Sequence, residues 1–236
     1  MLATLALSSF DWWREAGVDT AIDEAPRNWL APERAATPDA ATPAQAAPVD
    51  QALPADLAAF RAWLLADASV PGHATQRFDA IGDAASGTVI VIDMPEAGDR
   101  TAGQLLSGEA GALFDRMLVP MGLSRDLAYL IPFAPARPAS GRLDPAAVAA
   151  LTPLARHHLG LAKPRRLLLL GDAPVRALLD IGVAEARGRT HAIEIGGVPV
   201  PTITSFHPRF ILQASPADLK RRRAAVWADL QQYMAL

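Results

Sequence analysis

The chain has 236 residues, 51% of them hydrophobic, a formal net charge of −3 and no cysteine. That length suits one large domain or a domain with an extension, with enough apolar content for a real core. Without thiols there are no disulfides, zinc–thiolate sites or thiolate-held iron–sulfur clusters, and the near-neutral balance gives no global basic field for nucleic acid.

Charge is uneven along the chain. Residues 1–50 carry three Arg against eight Asp and Glu, whereas residues 205–236 carry five Lys and Arg against two Asp. A local basic face near the C-terminus is therefore available. The opening MLATLALSSF has no basic region and soon meets Asp11, so it does not read as a signal peptide. No apolar run approaches the ~18 residues of a membrane span. These features predict a cytoplasmic, monomeric protein without membrane attachment.

In chain order, residues 1–30 form a Trp-rich segment. Its Phe10, Trp12, Trp13 and Trp29 are costly to leave in water, so they either pack in cis or dock on a protein partner. Residues 31–52 read as an Ala/Pro-rich linker, because spaced prolines block a helix there. The main domain spans residues 53–236. LPADLAAFRAWLLADA reads as a helix with Leu57, Phe60 and Leu64 on one side, and TVIVI (88–92) as an apolar strand. Residues 107–121 space Leu113, Met117 and Met121 four apart, and LAYLI (127–131) is a second strand. Asp144 and Pro145 stand in N-cap and N1 order, and His157 and His158 in that helix read as surface residues. RLLLLG (166–171) is a strand of the fully buried type, after which Asp172 caps a short helix ending near Gly182. Gly196–Gly197 signals a hairpin ahead of the strand PTITSF. Ser215, Pro216 and Asp218 open a last helix with Leu219, Val226, Leu230 and Met234 facing inward.

Alternating helices and buried apolar strands predict an α/β fold, a three-layer α/β/α arrangement around a mostly parallel sheet. Sites in such folds lie beyond the carboxyl ends of strands. Three Pro-rich loops occupy that position: DMPEAGD (93–99), PFAPARP (132–138) and HPRF (207–210).

The order of motifs from Leu53 to the C-terminus resembles the uracil-DNA glycosylase superfamily, nearest its family 4 type. AGALFDRML (110–118) is similar to the family's AGxLLDRML helix; Arg137–Pro138, Leu170–Gly171 and His207–Pro208 match its RP, LG and HP positions. The family's GEAPG loop reads IDMPE here, so Asp93 stands for Glu while Pro95 is kept. Leu106 takes the place of the base-stacking Phe and Pro132 that of the uracil-reading Asn, and Ala136 and Leu151 fill two of the four cluster-cysteine places.

The resemblance implies hydrolysis of the bond between a flipped base and its sugar in DNA, with no cofactor and no metal. It implies Asp93 and His207 as catalytic residues, Pro95, Leu106 and Pro132 in the base pocket, and Arg137, Ser205, Pro208 and Arg209 on DNA. His207 would donate to the departing base and Asp93 would orient water or stabilise the sugar cation. Read from the residues alone, His207 is an N-cap with Pro208 at N1, and Asp93 caps a turn. Pro132 offers neither group of an amide, so the specificity is altered or the activity weak. Two other readings stay open: an inactive DNA- or protein-binding module on the same fold, and a small-molecule hydrolase on a doubly wound sheet.

Overall fold

A computed structural model describes residues 52–236. The Trp-rich segment and nearly all of the Ala/Pro-rich stretch lie outside the described residues. Helix α1 (Leu57–Ala66) starts at Asp56, whose carboxylate accepts the Ala59 N–H at 2.9 Å. There follow β1 (Thr88–Ile92), α2 (Asp99–Ala102), α3 (Gly108–Leu118), β2 (Tyr129–Pro132) and α4 (Pro145–Ala162). Then come β3 (Arg166–Leu170), α5 (Asp172–Leu179), α6 (Val183–Ala186), β4 (His191–Ile195), β5 (Val198–Ser205), α7 (Pro208–Leu212) and α8 (Pro216–Met234).

The five strands form one sheet in the order β2-β1-β3-β5-β4. All neighbours are parallel except β4, which lies antiparallel on β5 at the edge. The strand order gives the expected α/β architecture its three layers. Val89, Val91, Leu167 and Leu169 face a core that includes Phe60 of α1, Leu154 and Leu159 of α4 and Val175 of α5. Ile90, Ile92, Leu168 and Leu170 face the opposite core, with Phe114 of α3, Ile211 of α7 and Val226 and Leu230 of α8. Both faces of β1 and β3 are covered, which is why their sequences carry no polar alternation. The chain passes from β1 to β2 on one side and later to β3 on the other. A crevice therefore opens beyond the ends of β1 and β3, where the strand order reverses. At the far edge, Gly196 and Gly197 have φ of +59° and +79°, the two left-handed residues that a two-residue hairpin turn demands.

Several expectations need correction. His158 is buried, 3% exposed, because α1 crosses α4 and lays Phe60 against the two histidine rings, 4.7 Å from His157 and 5.4 Å from His158. Its Nε2 pairs with the Tyr129 hydroxyl at 2.9 Å, and burial pulls its pKa down to about 4. His157, half-buried, donates from Nε2 to the Pro54 carbonyl at 2.8 Å. Met234 is exposed and Tyr233 takes the inward place. At 3.6 residues per turn a strict spacing of four drifts off the face, so after Val226 and Leu230 the next inward position falls three residues on. Gly171, rather than Asp172, is the N-cap of α5.

Ser205, expected on DNA, is fully buried at the end of β5, and its hydroxyl donates to Asp229 of α8. Arg187 donates from Nε to the same carboxylate oxygen at 2.6 Å and lays its guanidinium over the Phe206 ring, 4.2 Å from its centre. This group ties α8 to the strand that leads into His207. Asp229→Ala would strand a buried guanidinium and a hydroxyl, so it should destabilise the domain by roughly 2–4 kcal/mol, read as a lower urea midpoint at unchanged slope.

Candidate active site

The loop after β1 is built around one carboxylate. Asp99 is sealed from solvent and accepts four hydrogen bonds: from Glu96 N (2.7 Å) and Leu106 N (2.8 Å) on Oδ2, and from Ser107 N (2.7 Å) and Ser107 Oγ (2.6 Å) on Oδ1. Leu106 is held in a left-handed conformation, φ +51°, which a branched side chain rarely adopts. Its carbonyl accepts from Arg125 Nη2 at 2.8 Å, and Arg125 is held in turn by Asp115 at 2.6 Å. Gly111 makes room, because a Cβ there would lie 1.6 Å from the Leu106 oxygen. The AGALFDRML motif thus supplies a glycine and an aspartate that clamp the loop.

Asp93 follows β1 at the crevice. Its Oδ1 accepts the Ala173 N–H at 2.9 Å, so the start of α5, 80 residues on, orients it. Gly171 has φ +113°, and a Cβ at that position would stand 2.2 Å from the Asp93 carboxylate. The β3 loop is therefore a fourth contributor, which the sequence reading did not include. Asp93 is half-buried. Burial pushes its pKa up to about 7; the Ala173 N–H and Arg209 oppose this, while Asp172 and Glu96 add to it.

His207 is 4% exposed at the N-terminus of α7. Its Nδ1 accepts the Arg209 N–H at 3.2 Å, so the N-cap reading holds for that nitrogen. The proton then sits on Nε2, which is buried and has no hydrogen-bond partner. Burial pulls the imidazole down to about 3, helped by the charges of Arg209 and Arg137 and opposed by Asp99. The ring is neutral at physiological pH and keeps one free N–H.

Asp93 and His207 line the same groove, about 960 Å³, between α4, α5 and α7. Arg209, Phe210, Asp172 and Ala173 share it, and Arg142, Arg156 and Arg176 also line it. Phe210, 39% exposed and tilted against Phe206 with ring centres 4.5 Å apart, is an aromatic lining residue that was not singled out from the sequence. Pro95 and Arg137 lie beside the groove instead, in a depression of about 220 Å³, where Arg137 Nη1 donates to the Pro95 carbonyl at 3.1 Å. Pro208, the first residue of α7, is buried. Two expected pocket residues are elsewhere. Leu106 is sealed in the core under α3, because its backbone is the clamp described above. Pro132 pairs with Ile92 inside the sheet and lines a separate crevice of about 20 Å³. Ser205 faces Asp229, not the groove.

Ala136 and Leu151 are both buried and apolar, Leu151 on the core-facing side of α4. Without thiolates at these positions, the residues present do not fit an iron–sulfur cluster. Among the described residues no helix is long and apolar enough to cross a membrane.

A family model described as the uracil DNA glycosylase superfamily matches residues 80–231. The chain is also similar to a type-4 uracil-DNA glycosylase of Pyrobaculum aerophilum, 27% identical over 162 residues, which is 66% of this chain and 78% of that protein.

The raised Asp93 pKa makes a stability prediction. A group whose folded pKa lies above its unfolded value stabilises below the unfolded pKa and loses that contribution as pH rises through the folded one. Here the loss runs from about pH 4 to about pH 7. Asp93→Asn keeps an oxygen for the Ala173 N–H and removes the buried charge. It should be more stable than wild type by roughly 1–3 kcal/mol at pH 8 and level with it at pH 4, by urea denaturation at the two pH values.

Proposed function

The chain belongs to the uracil DNA glycosylase superfamily, and we propose that it hydrolyses the N-glycosidic bond of a flipped, deaminated base in DNA, as part of base-excision repair. The relative from Pyrobaculum aerophilum is named for action on uracil. The observation that carries this reading is that Asp93 and His207 line one groove at the reversal point of the sheet, with the buried His207 Nε2–H left without a hydrogen-bond partner.

In the proposed step, water attacks C1′ of the deoxyribose while the bond from C1′ to the base nitrogen breaks. The bonding electron pair leaves with the base, and the water proton passes to Asp93. The developing base anion accepts from His207 Nε2–H, which acts as a fixed neutral donor; the anion is then protonated from Asp93 or solvent. A neutral donor spends no energy on proton transfer, and a buried dipole acts strongly where water is excluded. Asp93, with its pKa near 7, is a better base than an ordinary carboxylate and is still substantially ionised at neutral pH. Phe210 brings an aromatic ring to the groove, already covered by the Arg222 guanidinium 3.8 Å from its centre, and Arg209 and Arg142 offer a place for phosphates. Leu106 and Pro132 bring no polar group into this groove. An edge-reading amide is thus missing, which favours broad or weak base selection. The same observation favours a second reading, an inactive DNA-binding module on this fold.

Single-turnover cleavage of single- and double-stranded oligonucleotides carrying uracil, hypoxanthine or xanthine tests both. Cleavage of at least one base is expected, with the rate rising with pH and levelling above about 7, as Asp93 ionises. Asp93→Asn and His207→Ala should each slow it by roughly 100-fold or more with folding intact. DNA binding with no cleavage of any base would leave the binding module.

A further inference from the structure

One charged contact divides the site, and the reaction above gives it no role. Arg209 lines the large groove, and Glu96 lines the smaller depression that holds Pro95 and Arg137. Glu96 Oε1 meets Arg209 Nε at 2.9 Å and stands 3.7 Å from His207 Nδ1. The pair therefore forms a wall between the two hollows. It separates Pro95 and Arg137 from Asp93 and His207.

The Glu96 side chain is aimed at this position by its backbone. Its N–H donates to Asp99 at 2.7 Å, within the four-bond clamp, so the loop cannot swing the carboxylate away as a unit. The contact is also poorly compensated. Glu96 Oε1 is buried, and no donor points at it with good alignment, Arg209 included. Burial accordingly raises the Glu96 pKa, against the attraction of Arg209 and Arg137. The loop reads IDMPE, so a carboxylate stands where the GEAPG pattern ends without a side chain.

A carboxylate and a phosphodiester present the same thing to a guanidinium, one negative charge on paired acceptor oxygens. Arg209 stands two residues after His207, and its Nε is already engaged by Glu96. We propose that Glu96 is an internal competitor for nucleic-acid phosphate: its carboxylate fills the anion position beside Arg209 and His207, and DNA reaches Arg209 by displacing it. This rests on the reading of DNA as the substrate. Displacement also breaches the wall and joins the two hollows into one site. Glu96 is in this sense a positioning and specificity residue, because it sets how much binding a phosphate must bring before the site is complete.

The test is equilibrium binding of a fluorescein-labelled single-stranded oligonucleotide to the full chain across a salt series. The proteins are wild type, Glu96→Ala, Glu96→Gln, Arg209→Ala, the Glu96→Ala/Arg209→Ala double variant, and Glu194→Ala. Glu194 is exposed on β4 and controls for the loss of one negative charge. Glu96→Ala and Glu96→Gln should bind ~3–10-fold tighter than wild type, and Arg209→Ala should flatten the slope of log K against log salt by about 0.7, one phosphate contact on a single strand. The gain should vanish in the double variant relative to Arg209→Ala. Glu194→Ala should stay within about twofold of wild type. Binding by wild type with no gain in either Glu96 variant overturns the inference and leaves the proposed function standing. A gain that persists without Arg209, or that Glu194→Ala reproduces, overturns it as well. If none of the proteins binds at low salt, the nucleic-acid reading itself fails and the inference falls with it.

Discussion

The carboxylate of Asp99 holds fixed the loop on which the C-terminal edge of the sheet is furnished. It is shut off from water, and a carboxylate in that position is tolerated only because four hydrogen bonds satisfy its oxygens. Those donors come from three residues spread over the loop, so their geometry is solved together or not at all. One consequence is the left-handed Leu106, a conformation that costs of order 1 kcal/mol and persists because Asp99, Arg125 and Gly111 all over-determine it. A second is the fixed direction of Glu96. A third is the place of Asp93, which leaves β1 just before this loop begins.

The chemistry of the groove depends on neutrality produced by burial. An imidazole with its pKa near 3 and a carboxyl with its pKa near 7 lie on one surface, each shifted chiefly by loss of water. Their shifts run in opposite directions and leave a donor that does not titrate and an acceptor that does, both near physiological pH. The arginines around them could have restored ionisation of Asp93, but Arg209 divides its charge between Asp93 and Glu96. The site's electrostatics are thus set by a contest over one guanidinium.

The sheet was legible in the sequence because its signals are local. TVIVI and RLLLL are uniformly apolar since both faces are covered, and Gly196–Gly197 states its turn outright. Asp93 and His207 were named from the family resemblance and their positions at strand ends, and both line the one groove. What could not be read depends on contacts between distant segments. Nothing near Ala173 announces that its N–H turns to Asp93, and nothing in HHL says that Phe60 will close over it. Leu106 was placed in the pocket by alignment alone, whereas its backbone conformation turns the side chain into the core. Phe210 and Glu96 lie within segments already quoted as loops, and only packing distinguishes them from their neighbours.

Gly171 carries the restriction that bears directly on the acid. Its α-carbon lies so near the Asp93 oxygens that the two positions share one small volume. Any larger residue at 171 must evict the carboxyl, and only a shortened residue at 93 would accommodate it. The two positions are therefore coupled, and because φ at 171 is +113°, losing the acid would free the volume without making the backbone hospitable to a side chain.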